Sequence, residues 1–339
     1  MKQPVKQGKV AKRMLVIGLL AATGGIVLKA LAWNISDGLE TYTDDPALDY
    51  ETAMARFARM QVQEEADATL NPVCRLKLLT HGRKMERVII LMHGMTNCPE
   101  QYAELAPLFF AQGYNVLIPR MPCNGLADGN TDMLKNLTAT DLLECASGMI
   151  DIAHGLGERV IYAGLSVGGT MAAWVAQYRA DVEKVVMIAP AFTISRGLGV
   201  AMSRFVMRLF LIMPNIMTQR FRPFQEGPAH KYHGFATRGL GQMMRLGFSV
   251  HAAARTSKPA AQSVLVITNA SDPAVENNIT RQLVRRWQAN GMEHIEMYEF
   301  DAGYQLIHDV IDPQQPHQQT ELVYPILLNL ILHSPDVVT

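Results

Sequence analysis

The pentapeptide Gly164-Leu165-Ser166-Val167-Gly168 restricts this chain more than any other feature. It follows an apolar run at 160–163, short enough to be a buried strand, and precedes a helical stretch at 169–179. A G-x-S-x-G turn from strand to helix lifts its serine above the sheet and needs small neighbours where backbones crowd. The start of the following helix places positive partial charge beside any oxyanion that develops there. The letters alone are a weak signal, and a glycine-rich turn kept for packing is the plain alternative. The strand-turn-helix setting is what marks Ser166 as a candidate nucleophile.

The same alternation runs through most of the chain. Apolar runs at 73–79, 88–92, 114–119, 160–163, 184–189, 263–268 and 295–300 read as strands. Helical patterns at 102–112, 138–156, 169–179, 278–290 and 321–332 fall between or after them, and another at 50–63 precedes the first. Gly113 stops one helix, Pro325 bends or delays the last, and the stretch 81–84 turns the first strand back. Such alternation predicts an α/β fold with a mostly parallel central sheet flanked by helices. Residues 47–190 and 260–339 form this core. The span 191–259 breaks the rhythm with Arg- and Met-rich helical patterns at 197–213 and 237–248, and reads as an inserted helical cap.

A serine nucleophile needs a base, and the base needs an orienting acid. His308 lies beyond the last strand, and Asp272 lies in the loop after 263–268. Both loops leave the carboxyl ends of strands, where open α/β sheets bind ligands. Asp301 and Asp309 are competing acids. Asp309 adjoins His308 in the chain, and neighbouring side chains diverge, so Asp272 is preferred. The strand at 88–92 runs into His93-Gly94-Met95-Thr96, a sequence suited to an oxyanion loop. The amides of Met95 and Val167 would then face one oxyanion, with His93 organising the loop rather than acting as a base.

Residues 1–33 carry a separate message. Lys2, Lys6, Lys9, Lys12 and Arg13 precede an apolar run of about twenty residues, roughly a bilayer-spanning length. The reading is an N-terminal transmembrane helix, with basic flanks inside and the catalytic domain extracytoplasmic. A cleaved signal ending near Ala30-Leu31-Ala32 is the alternative, giving a secreted protein. Residues 34–46 are polar and acidic and read as a tether. The formal net charge is zero, which gives nucleic acid no basic surface to bind. No C-x-x-C pair occurs among the four cysteines, and neither a metal site nor a cofactor is implied.

Taken together, His93-Gly94, the Gly164–Gly168 pentapeptide, Asp272 and Leu306-Ile307-His308-Asp309 resemble the α/β-hydrolase superfamily. The likeness is to its carboxylesterase, monoglyceride lipase and serine aminopeptidase branch, and covers about 47–332. It implies a Ser166, Asp272, His308 triad with Met95 and Val167 as oxyanion donors, acting on a small-molecule ester or lipid-like substrate. A serine at the elbow implies acyl transfer to water, unlike the aspartate of dehalogenases and epoxide hydrolases of this fold. Pro122-Cys123-Asn124-Gly125 departs from the Pro-Gly-His-Gly common in such relatives. A peptidase of the same fold, or a non-catalytic binding scaffold, are the other readings. In the cap, the apolar residues Met202, Phe205, Leu209, Ile212 and Met213 suit an acyl pocket, ordinary core or a membrane contact equally. Finally, Cys98 and Cys123 follow strands that would be neighbours in this fold, so they read either as a disulfide or as two unpaired thiols near the pocket.

Overall fold

The computed structural model describes residues 35–195, 197–218 and 227–333. A compact unit begins at Ser36. The anchor read over 1–33 lies outside the described residues. Among the described residues, no helix is long and apolar enough to cross a membrane.

Seven strands form one sheet: β1 (Lys77–Leu79), β2 (Met85–Met92), β3 (Asn115–Ile118), β4 (Gly157–Leu165), β5 (Lys184–Ile188), β6 (Ser263–Asn269) and β7 (Ile295–Phe300). Their order is β1-β3-β2-β4-β5-β6-β7. Only the β1–β3 pair is antiparallel; β2 through β7 run parallel. The first strand does not turn back onto its successor as the stretch 81–84 suggested. Both edges of β2 are taken by β3 and β4, so β1 pairs beyond β3 instead. Continuous runs such as Val88 to Met92 and Val160 to Leu165 are apolar because both faces of the sheet are covered. Each such side chain contributes roughly 1.5–3 kcal/mol on burial.

The covering helices are α1 (Tyr50–Ala66), α2 (Leu105–Ala111), α3 (Ala139–Leu156), α4 (Val167–Tyr178), α5 (Val200–Ile212), α6 (Thr237–Ala253), α7 (Asn277–Ala289) and α8 (Thr320–His333). Thr138 and Asp141 close a capping box on α3, which fixes where that helix starts. Gly113, at φ +86°, ends the turn after α2, as expected. Pro325 sits inside α8. In the inserted region α5 packs on α6, while α6 is also laid against α4. The second helix of the expected cap therefore belongs in part to the core, and its burial from Leu246 to His251 reflects this.

Residues 36–46 are no loose tether. Leu39 is fully buried, and its carbonyl accepts the Trp174 indole N–H at 2.7 Å. Tyr42 donates to Asp151, and Arg179 pairs with Asp44, Asp151 and Asp181 at 3.1, 2.9 and 2.6 Å. The acidic side chains stay exposed, as their polarity suggested, but Asp44 also pairs with the buried Arg179.

Neither reading of Cys98 and Cys123, as a disulfide or as two free thiols, is what the structure forms. Cys98 bonds to Cys74, with a Cα–Cα distance of 5.1 Å, and Cys123 is free. Cys74 closes a short 3-10 turn (Pro72–Cys74) ahead of β1. Asn71 N–H donates to the Gly125 carbonyl, which holds this segment against the loop after β3. Cys123, at φ 64°, has its carbonyl tied to the Tyr232 hydroxyl and stays apart.

Candidate active site

Four loops meet at the carboxyl edge of the parallel sheet. They follow β2, β4, β6 and β7, and bring His93 to Thr96, Ser166, Asp272 and His308 to one place. Ser166 sits between β4 and α4 at φ 59° and ψ −114°, a conformation that strains a residue with a Cβ. Its backbone is locked: the amide donates to Ile188 at 2.9 Å, and the carbonyl accepts from Thr170 and Ala191. The flanking glycines have a steric cause. A Cβ on Gly164 would lie 2.2 Å from the Gly168 carbonyl oxygen, and one on Gly168 would lie 2.2 Å from that of Met92.

Ser166 Oγ lies 2.9 Å from His308 Nε2, and His308 Nδ1 lies 2.7 Å from Asp272 Oδ2. The other Asp272 oxygen accepts the amides of Ala274 and Val275 at 2.8 and 3.3 Å. Burial works against charge on Asp272, but His308 and the two amides outweigh it and hold its pKa below the usual value. Burial likewise opposes charge on His308, yet Asp272 prevails and raises its pKa. A carboxylate therefore fixes the ring with Nδ1 protonated, leaving Nε2 free to accept a proton from the serine. Asp301 instead caps Gly303, and Asp309 accepts from Asn97 and Gln315. The structure thus brings Asp272, and neither alternative, to the imidazole.

Met95 and Val167 line the same cavity as Ser166 and His308. Their backbone N–H groups donate to no acceptor among the described residues. His93 is fully buried and pushed down to about 4, chiefly by burial. Its Nδ1–H donates to the Gly94 carbonyl of its own loop, and its Nε2 accepts the Met121 amide from the loop after β3. It organises the loop and has no base role.

Several residues supporting the site escaped the sequence reading. Asn124 is fully buried and donates to the Met95 and Asn97 carbonyls, clamping the loop that presents the Met95 amide. It belongs to the Pro122–Gly125 departure, so the signal was present without its meaning. Gln101 accepts the Gly94 amide at 2.9 Å. Asn97 ties that loop to Asp309 and to Asp312, which also meets His230 at 2.9 Å. The Gln101 contact is local, seven residues from Gly94, but the Asn97 and Asn124 contacts join parts of the chain that no short motif connects.

Residues 83–304 match the model of the serine aminopeptidase S33 family of hydrolases. The chain belongs to this family. It is an α/β-hydrolase, as its motifs suggested. Ser166 and Asp272 lie inside the matched span, and His308 follows it closely. A sequence search of curated proteins gives no significant match. Among solved structures, the fold is similar to a metagenome-derived lipolytic enzyme, at 15% identity and TM-score 0.59, covering 78% of this chain and 99% of that one. It is also similar to a monoacylglycerol lipase from Paleococcus ferrophilus, at 18% identity and TM-score 0.55, covering 76% and 98%. A monoglyceride lipase from Saccharomyces cerevisiae follows at 13% identity and TM-score 0.52, covering 77% and 92%.

The cavity over Ser166 measures about 590 Å³, within the range of small-molecule sites. Phe210 of α5, Phe235, Leu240, Met243 and Val275 give it apolar walls. Through Phe210, the cap helix α5 contributes to the cavity wall, while Met202, Phe205, Ile212 and Met213 remain exposed.

Proposed function

We propose that this hydrolase cleaves carboxylic esters through a Ser166 acyl-enzyme. The observation that carries the reading is the unbroken hydrogen-bond chain from Ser166 through His308 to Asp272 at the base of an apolar cavity. His308 takes the Ser166 proton as the oxygen attacks the acyl carbonyl. The amides of Met95 and Val167 receive the oxyanion. His308 then protonates the leaving alcohol and activates the water that releases the acid. The apolar walls favour an acyl chain over a charged group.

Peptidase action is the second reading, given the family. A site for a free amino terminus needs an available carboxylate. Asp309 lines the cavity, but its two oxygens already accept from Asn97, Gln315 and the amides of Ile311 and Asp312. Lys231 lines the same cavity and repels an amine. The ester reading is therefore preferred. Its test is a panel of acyl esters of graded chain length beside aminoacyl amides. Ester turnover with a pre-steady-state burst supports it; turnover of the amides alone contradicts it.

The same reading places the enzyme at a membrane through residues 1–33, with its hydrolase domain outside the cytoplasm. The basic flank and apolar run support this. Membrane fractionation with an intact N-terminus is expected, and a mature N-terminus at Trp33 would instead mean a cleaved signal.

A further inference from the structure

A second polar cluster lies away from the Ser166 cavity, where α5, the end of α6 and α7 come together. Arg204 and Arg208 stand one turn apart on α5. The Arg204 guanidinium lies 5.4 Å from the Phe248 ring centroid, and Phe248 neighbours His251 at 5.9 Å. Arg286 donates to the His251 carbonyl at 3.0 Å and approaches His251 Nδ1 at 3.4 Å. That contact makes Nδ1 the acceptor and leaves the ring proton on Nε2. Arg255 follows His251 by one turn. None of these four arginines pairs with a carboxylate among the described residues.

The unmet groups are all donors. Arg204 Nε, Arg208 Nε and His251 Nε2 are buried without a hydrogen-bond partner, and His251 as a whole is fully buried. Buried donors left unpaired are costly, and like charges gathered without a counterion repel. Burial, then Arg255, Arg208 and Arg286, disfavour charge on Arg204, and burial, then Arg286, Arg204 and Arg255, hold the pKa of His251 down to about 3. A molecule that supplies acceptors and negative charge removes both penalties at once.

We propose that Arg204, Arg208, Arg255 and Arg286, with His251, form a binding site for a phosphate-type anion. Guanidinium groups match the tetrahedral oxygens of such a group. Two sources share this chemistry: free phosphate, and the headgroup of an anionic phospholipid. Met202 and Phe205, 53% and 55% exposed on the same helix, would sit beside the acyl part of the latter.

The test uses the full-length protein in an uncharged detergent, melted in sodium phosphate and in sodium chloride of equal ionic strength. A second arm compares micelles doped with phosphatidylglycerol or phosphatidylcholine. Wild type is expected to gain on the order of 3 °C from saturating phosphate over chloride, and to bind at least tenfold more tightly than Arg204→Gln. Arg255 is exposed, so Arg255→Gln removes a ligand without disturbing packing and should lose the gain too, while Arg59→Gln on α1 should keep it. Without phosphate, at low salt, Arg255→Gln should melt at or above wild type because one repelling cation is gone. A gain from phosphatidylglycerol alone assigns the site to a lipid headgroup; a gain from phosphate assigns it to a small anion. Equal melting in phosphate and chloride with no phosphatidylglycerol effect, or a gain retained by Arg255→Gln and Arg204→Gln alike, overturns the proposal.

Discussion

Replacing Asp272 by asparagine should disable the enzyme while leaving its fold intact, and the reason lies in which oxygen does what. One Asp272 oxygen accepts the Ala274 and Val275 amides, and the other accepts His308 Nδ1–H. In Asp272→Asn the carbonyl oxygen must stay with the two amides, since an NH2 group cannot accept from them. The NH2 then faces His308 and requires Nδ1 to be an acceptor. The ring proton moves to Nε2, 2.9 Å from Ser166 Oγ, where a free lone pair is needed. In a comparable triad this wrong tautomer costs about 10⁴ in turnover, or about 5.4 kcal/mol at about 1.36 kcal/mol per decade. The assay is kcat on one activated ester, with a thermal melt of each variant. Asp301→Asn and Asp309→Asn should stay within about tenfold of wild type, the second losing more because Asn97 and Gln315 lean on Asp309. Asp272→Asn retaining a tenth or more of wild-type turnover would refute the reasoning.

Four further outcomes follow from the geometry. Since the pKa of His308 is raised by Asp272, the acid limb of kcat/KM should lie above the ordinary histidine value of about 6.5; a pH–rate profile with its limb below that value contradicts it. The sign is set by the base being the neutral ring: activity is present above the raised pKa and lost as pH falls through it. Gly168→Ala should lower stability by roughly 1–3 kcal/mol or more, because the new Cβ meets the Met92 carbonyl at 2.2 Å, measured by urea denaturation. Asn124→Ala should lower kcat more than it raises KM, since it frees the loop carrying the Met95 amide while leaving the cavity walls in place. Cys74→Ser and Cys98→Ser should each cost about 3 kcal/mol in the oxidised protein and Cys123→Ser little, with non-reducing peptide mapping linking Cys74 to Cys98.

The residues at the centre of the site were legible because each follows a strand whose apolar run is itself legible. Ser166, Asp272 and His308 could be placed by counting strands, and Met95 by its position after β2. Most core elements survive as read, with ends moved by a few residues, as where the last helix starts at Thr320 rather than at 321; of the strand read over 73–79, however, only Lys77–Leu79 is extended, because Pro72–Cys74 forms a 3-10 turn. What escaped depends on contacts between distant segments. Cys74 pairs with Cys98 while its own segment is held at Asn71 to the loop at Gly125, an arrangement no spacing rule encodes. Asp44 and Asp45 are exposed as they look, yet the Asp44 carboxylate meets Arg179 and the Asp45 backbone amide donates to Asp151, each across more than a hundred residues. Asn124 looks like a turn residue, and only the folded chain places its amide under the Met95 carbonyl. The β1–β3 pairing escaped for a related reason, as strand order depends on which edges are already taken.

Covalent capture of Ser166 would identify the nucleophile without reference to any substrate. The purified full-length protein would be treated with a fluorophosphonate, digested, and the modified peptide sequenced by mass spectrometry. One stoichiometric adduct is expected, on Ser166, absent from Ser166→Ala and strongly slowed in Asp272→Asn, with all three proteins melting cooperatively. An adduct on another serine, or no adduct on a folded protein that still turns over esters, would contradict Ser166 as the nucleophile.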